Sequence, residues 1–421
     1  MTRQTAPGTR WTFAYITMLF FIWGAVTSVN DILIPAVKAI FSLSDTESFL
    51  TQFAFFLAYG VVSLPAAAIM GRLGAANSII LALATMIAGC LIMPFATIVR
   101  AYPIVLVGLF VIASGITLLQ VAANPLSASL GRPERSHFRL VLSQAFNSLG
   151  TVIAPYLAAR TLLQGGLFDE GPVTEAKIAY SLGRIDVAYV FIALLIAVLA
   201  LVIWRVRHEI TAAAPPPEVG TKVSSAFSSR WALAGALSIF LYVGAEVAIG
   251  SVMVNFLEQP DVLAVTAAQA GSFVSLYWLG AMVGRFIGSG LLFKLPAGPL
   301  LAGAALAAAA LCLTISQITG PVAGVLAISV GLFNSIMFPV IFSLTIARSS
   351  APQSATSGLL CMAIVGGAFV PLAFAQVADI SGSRFLAFLV PMACYLVIAL
   401  FGWRASRVPA VDGEAQPVSA H

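Results

Sequence analysis

Charge is what this sequence has least of. Only 9% of its 421 residues are Asp, Glu, Lys or Arg, against roughly 25% in an ordinary soluble domain. So few charges cannot cover the surface of a soluble protein of this size. Histidine is almost missing as well. His137, His208 and His421 fall in expected loops or the tail, and no HExxH or paired-histidine zinc spacing occurs. No Gly-Lys dipeptide exists, which excludes a P-loop and with it a nucleotide-driven pump. No serine stands in a GxSxG setting, so an intramembrane hydrolase is not indicated. The cysteines, Cys90, Cys312, Cys361 and Cys394, lie inside apolar runs without metal or redox spacing and read as packing residues. No metal site and no resident cofactor is expected. A channel's pore loop or ring of repeated charges is missing too.

Apolar residues fill the space the charges leave. They make up 60% of the chain, with a mean hydropathy of +1.01. Disorder is excluded, because disordered chains are poor in such residues. A spanning helix takes about 20 apolar residues, so the total suits about a dozen. The runs are long and continuous rather than short and alternating, which favours helices over a barrel. Expected spans are 11–37, 49–71, 75–96, 102–129, 138–163, 186–206, 231–257, 267–293, 297–316, 320–346, 354–378 and 384–404. No small-residue cleavage site follows the first run, which reads as a retained helix. The connection 207–230 contains Pro215, Pro216 and Pro217 and then a Ser-rich stretch. It divides a six-helix half, 1–206, from a second, 231–406, with a tail at 407–421. Both termini are placed in the cytoplasm, because that puts 15 of the 21 Lys and Arg inside and 6 outside. The net charge of +5 then belongs to basic membrane loops, and nucleic acid is not an expected partner.

The halves resemble each other weakly. FFIWGAVTSVND (20–31) lies on FLYVGAEVAIGS (240–251), matching Gly24 with Gly244. Pro125 matches Pro339, with Gln120 and Asn334 each five residues earlier. Gly150 and Pro155 match Gly366 and Pro371. The order of these matches points to a 6+6 duplication, an architecture that binds substrate at the repeat interface near the bilayer midplane.

Polar residues inside such helices are expensive and point to function. Asp31 and Glu246 sit deep in apolar runs, on equivalent first helices, and are the candidates for coupling transport to a cation; Glu246 is also a candidate for binding substrate. Amides are frequent at the same depth: Asn30, Gln52, Gln120, Asn124, Gln144, Asn147, Asn255 and Asn334. Each offers donor and acceptor without net charge, which suits a neutral ligand covered in hydroxyl groups. Gln120 and Asn124 share one helix face, as do Gln144 and Asn147. Trp278 leads the aromatic candidates for a floor under a sugar ring, followed by Trp23, Tyr242, Phe273, Tyr277 and Phe333. Arg72 and Arg285, each in a Gly-Arg segment at an expected cytoplasmic end, are candidate gating residues that latch the halves. Interhelical hydrogen bonding and basic anchoring are the plainer readings of these residues.

The twelve-span pattern with basic Gly-Arg loops resembles the major facilitator superfamily. Within it, FIWGAVTSVNDILIP, LLQVAANP, LSQAFNSLGTVIAP, FLYVGAEVAIGS, GRFIG, GLFNSIMFP and IVGGAFVPL resemble the bacterial fucose–galactose–glucose:proton symporters, over about residues 15 to 400. The resemblance implies an all-α polytopic protein of two pseudo-symmetric six-helix halves, with a central sugar site and rocking halves. Asp31 in NDILIP matches that family's coupling aspartate. Fucose-carrying members have a glutamate in LETAANP and a glutamine in YVGAQ. This chain has Gln120 and Glu246 there, which resembles the glucose/galactose branch. Related members carry glucose, galactose, mannose, fructose or N-acetylglucosamine, and some use sodium.

The expectation is therefore a monomeric importer of a neutral monosaccharide in the bacterial inner membrane, driven by co-transported protons or sodium. The alternative is a proton-coupled exporter of drugs or metabolites, which the amide-rich set disfavours. A non-transporting sugar sensor is weaker still, since the soluble segments are short.

Overall fold

The computed structural model describes residues 9–41, 43, 45–161, 174–220 and 222–410. Within those ranges the side chains of 9, 10, 29–40, 45–49, 52, 155, 157–161, 267 and 268 are outside the described set. Every regular element among the described residues is helical. The first half holds α1 (Thr9–Ile40), α2 (Asp45–Val99), α3 (Tyr102–Ser129), α4 (Ser136–Thr161) and α5 (Glu175–Arg205). A short α6 (Arg207–Ala213) follows. The second half holds α7 (Arg230–Leu257), α8 (Ala267–Leu292), α9 (Ala297–Ile315), α10 (Pro321–Asn334), α11 (Met337–Ile346), α12 (Gln353–Met362), α13 (Gly366–Ser381), α14 (Arg384–Ala387) and α15 (Leu389–Arg407).

Among the described residues, ten helices are long and apolar enough to cross a membrane. One of them, Phe53–Val99, runs through Gly74, where φ 75 and ψ 171 leave helical space, so it divides into two arms. That backbone conformation is open to glycine almost alone. α4 is outside the ten and carries Ser143, Gln144, Asn147, Ser148 and Thr151, yet it packs along α1 within the bundle. The two arms of α2, together with α4, accommodate the twelve runs expected from the sequence. α5 begins at Glu175, eleven residues before the expected 186, because Thr174 caps its N-terminus by accepting from the Lys177 N–H.

α5 shows why both faces of these helices are apolar. Val187, Val190, Phe191, Leu194, Val198 and Leu201 form an exposed stripe, while Ile185, Tyr189, Ile192, Ile196, Leu199 and Ile203 are buried. A soluble protein would need polar residues on the first stripe. Lipid is as apolar as leucine, so close packing rather than hydrophobic burial holds such helices together. Small residues supply that packing. A Cβ on Gly150 would meet the Phe21 carbonyl, and one on Gly366 would meet the Phe240 carbonyl. Each glycine seats its helix on the first helix of its own half, one turn or so before Gly24 or Gly244. Helix pairing repeats likewise: α1 with α4 as α7 with α13, α2 with α3 as α8 with α10, α2 with α5 as α9 with α15.

Paired prolines interrupt the hydrogen-bond ladder of the helices that line the centre: α3 stays continuous through Pro125, while α10 and α11 part just before Pro339. Proline removes one N–H and crowds the carbonyl four residues back. For Pro339 that carbonyl belongs to Ser335, at the turn between α10 and α11; it accepts from Arg285 Nε at 3.0 Å. For Pro125 in α3 it belongs to Val121, which accepts from Ser357 Oγ of α12 at 2.7 Å.

The connection between the halves is a strap rather than a free linker. α6 buries Ile210 completely, and Val223–Ser228 forms a 3-10 helix. Pro217 lies against Gly74, where a Cβ would approach it to 3.3 Å. The adjacent Glu218 carboxylate accepts from the main-chain N–H groups of Gln353 (2.7 Å) and Ser354 (2.9 Å), and from the Ser354 hydroxyl. It thereby caps α12 in the other half.

Gly74→Ala forces a side chain into this glycine-only conformation and against Pro217. We expect the melting temperature of the detergent-purified protein to fall by several degrees, for a cost of about 1–3 kcal/mol. Gly303→Ala in α9, where a Cβ meets nothing within 4 Å, is expected to leave it unchanged. Equal behaviour of the two variants would remove the strained break from the description of α2.

Candidate functional site

Polar side chains from both halves converge around the proline-containing helices α3 and α10–α11. In the first half Gln120 and Asn124 of α3 are buried, as is Gln144 of α4. Gln120 Nε2 donates to the Tyr59 hydroxyl of α2 at 2.5 Å, and Gln144 Nε2 donates to Asn124 Oδ1 at 3.2 Å. Asn124 Nδ2 is buried and has no protein partner among the described residues. Asn147, one turn from Gln144, is half-buried and gives its Nδ2 to the Phe20 carbonyl at 2.9 Å, pinning α4 to α1.

The second half presents a hydroxyl–carboxylate cluster. Glu246 of α7 accepts from the Tyr242 hydroxyl, one turn away, at 2.7 Å. The Tyr277 hydroxyl of α8 donates to the Glu246 main-chain carbonyl at 3.3 Å. Asn334, at the end of α10, donates to the Tyr277 hydroxyl at 2.9 Å. Asn334 is fully buried, and its Oδ1 has no protein partner among the described residues. It therefore stands behind Tyr277 rather than beside Glu246. Trp278 is 42% exposed; it stands edge-on to Tyr277 and lies against Gly250. Trp23 and Tyr242 are buried, and Phe273 and Phe333 pack against the core.

Arg285 joins the two clusters. Its Nη1 donates to the Ser148 hydroxyl and, at 3.5 Å, to the Gln144 carbonyl of α4, while its Nε is held by Ser335. Its charge also lies within Coulombic reach of Glu246. The Gly-Arg segment 284–288 is helical, well inside α8, and not a loop. Gly284 and Gly288 let α8 approach the α10–α11 break, since a Cβ on either would strike Ser335 or Ile336.

The halves also touch beyond Arg285. His137 Nδ1 and Ser343 Oγ are 2.7 Å apart, Gln353 Nε2 donates to the Pro125 carbonyl at 3.4 Å, and Arg135 lies 4.3 Å over the Phe293 ring. These contacts gather at the end of the bundle that carries the strap, and they close it.

Other candidates stand elsewhere. Asn255 is exposed near the far end of α7, where its carbonyl accepts from Arg384, and it does not join the cluster. Arg72 is exposed beside the Gly74 break and makes no hydrogen bond or ion pair with the described residues. The side chains of Asn30, Asp31 and Gln52 lie outside the described residues. The sequence reading overlooked Tyr59, Ser148 and Glu218. Only Tyr59, an aromatic with a polar tip in mid-span, carried a signal for membrane-depth chemistry.

The chain belongs to the major facilitator superfamily, whose family model matches residues 13–360. It is a multi-pass membrane transporter and not an enzyme. It is 42% identical over 392 residues to a glucose/galactose transporter of Brucella abortus, covering 93% of each chain. It is 31% identical to the L-fucose-proton symporter of Escherichia coli, covering 92% of each. A crystal structure of FucP in the outward conformation superposes with a TM-score of 0.83 at 27% identity, covering 95% of this chain and 100% of that one.

Arg285→Gln removes the cation that reaches Ser148. We expect the strap end to open more often, read as alkylation of a cysteine introduced at the buried position Leu126, which lies beside Gln353 and Ser354 of the other half. The four native cysteines are all buried. Labelling is expected to quicken several-fold in Arg285→Gln and less in Arg285→Lys. An unchanged rate would show that Arg285 does not hold the halves together.

Proposed function

We propose that this protein imports a neutral hexose of the glucose/galactose type by cation symport through alternating access. The observation that carries this reading is the unmatched amide of the first-half cluster. Asn124 Nδ2 is a buried donor without a protein partner among the described residues, held beside Gln144. A polyhydroxyl ligand supplies the acceptor it lacks, and the uncharged amides around it avoid burying a net charge. The named activities of the Brucella and Escherichia relatives support the same substrate class.

In this reading the strap end faces the cytoplasm of a bacterial inner membrane, as the basic residues indicate. The closed strap end then corresponds to an outward-facing transporter, in keeping with the outward conformation of the superposed symporter. Asp31 takes up the coupling ion, a proton in the main reading and sodium in the variant. The sugar binds among Gln120, Asn124, Gln144, Asn147 and Glu246, with Trp278 beside it. Binding draws the far ends together, Arg285 releases α4, and sugar and ion leave inward. A charge moving inward gains about 2.3 kcal/mol per 100 mV, and a proton about 1.4 kcal/mol more per pH unit.

The test is uptake of labelled glucose into proteoliposomes under an imposed pH or sodium gradient, with galactose, mannose, fucose and N-acetylglucosamine as competitors. Accumulation under one gradient is expected, with galactose the strongest competitor. No uptake of any sugar in sealed vesicles overturns the reading. Asp31→Asn is expected to abolish uphill accumulation while leaving sugar exchange measurable. Full accumulation by that variant sinks the coupling assignment.

A further inference from the structure

α7 and α15 part from each other at the strap end and leave a groove of about 340 Å³. Its floor is made by small residues, Ala234 and Ser238, one turn apart on α7. Trp231 and Phe401 close one side with rings edge-on at 5.8 Å, and Leu237 and Val397, both exposed, continue the apolar wall. The groove forms because α7 leans the other way. Gly235 allows it to press against Thr345 of α11, where a Cβ would strike the Thr345 side chain.

Two cations stand at the mouth. Arg230 is the first residue of α7 and Arg404 lies in the last turn of α15; both are exposed, and both line the groove. Neither makes a hydrogen bond, ion pair or ring contact with the described residues. Their neighbours are already engaged. Arg348 spends its guanidinium on the Leu344, Ala405 and Val408 carbonyls, and Arg407 stacks 3.9 Å over Trp403. Among the described residues no carboxylate lines the groove. The positive end of α7 and the negative end of α15 meet there, so the positive field rests on the two guanidiniums.

We propose that this groove is a binding site for one anionic phospholipid. Its phosphate sits between Arg230 and Arg404, and an acyl chain runs down over Ala234 and Ser238. Ser238 lies eight residues beyond Arg230, about 12 Å along the helix axis, so charge and apolar groove are spaced as headgroup and upper chain are. The occupant is anionic because two guanidiniums without a partner among the described residues face it, and a lipid because the wall beneath them is apolar. A zwitterionic lipid brings its own cation to the same place and gains less.

The full chain is exchanged into nanodiscs containing equal amounts of dioleoyl phosphatidylglycerol and dioleoyl phosphatidylcholine. Lipids that survive extraction are counted by native mass spectrometry. Phosphatidylglycerol is expected to be retained about tenfold over phosphatidylcholine, at one copy per protein. Arg230→Gln with Arg404→Gln is expected to erase the preference, and Arg230→Lys with Arg404→Lys to keep most of it, which controls for folding. Ser238→Leu fills the floor and keeps both charges; it is expected to lower retention of the bound copy. Equal retention of the two lipids by the unmodified protein, or an undiminished preference in the glutamine pair, overturns the proposal. None of these readouts depends on which solute the protein carries.

Discussion

A backbone carbonyl without a donor is one of the most costly things a protein can place in a bilayer. Pro125 and Pro339 each create one in the middle of a helix, and much of the central architecture is arranged around those two oxygens. Val121 is satisfied from α12, across the boundary between the halves, and Ser335 is satisfied by Arg285 within its own half. Arg285 is held there at one nitrogen, which leaves its other donors aimed at α4. The contact between the clusters thus follows from the need to repair a helix. The break also ends α10 at Asn334 and sets that amide against Tyr277.

The same duplication has been put to unequal use. In the first half the proline carbonyl is met from the partner half, and the nearby side chains are uncharged amides that bond one another and Tyr59. In the second half the carbonyl is met by a resident cation, and the cluster around it contains a carboxylate with two tyrosines. The described polar side chains of the first-half cluster are thus uncharged, while those of the second include both Glu246 and Arg285. Glycines at matching positions keep the two scaffolds alike while the chemistry on them differs.

Much of this was legible in the sequence because a membrane writes its demands plainly. Long apolar runs, Gly24 with Gly244, and Pro125 with Pro339 carry the span pattern and the repeat. The shared faces of Gln120 with Asn124 and of Gln144 with Asn147 were legible too, but the bond from Gln144 to Asn124 joins two helices and depends on how α3 and α4 pack. Other parts were not legible. A helix reads the same whether its proline carbonyl is capped by Ser357 or by Arg285, since that depends on crossing geometry. Asn255 looked equivalent to the other amides, but one-dimensional depth does not distinguish a central residue from one near a helix end. The strap read simply as a linker joining the halves, because the use of Glu218 as a cap for α12 is set 135 residues further along the chain. Glu246 was legible as a costly residue, but Tyr242 and Tyr277 were legible only as aromatic surface for a ligand, not as the hydroxyl donors to the Glu246 carboxylate and carbonyl.

Pro217 and Glu218 are consecutive residues, and their Cα atoms are therefore about 3.8 Å apart. One rests on Gly74 in the first half and the other holds the start of α12 in the second. At that point a single peptide unit ties the two halves. The strap has no slack to pay out there, so any separation of that end beyond a few ångströms makes one of the two anchors let go. The connection thereby behaves as a detent: it gives the closed position a definite rest, and it sorts the motion of the halves into engaged and released rather than a continuum of partial openings.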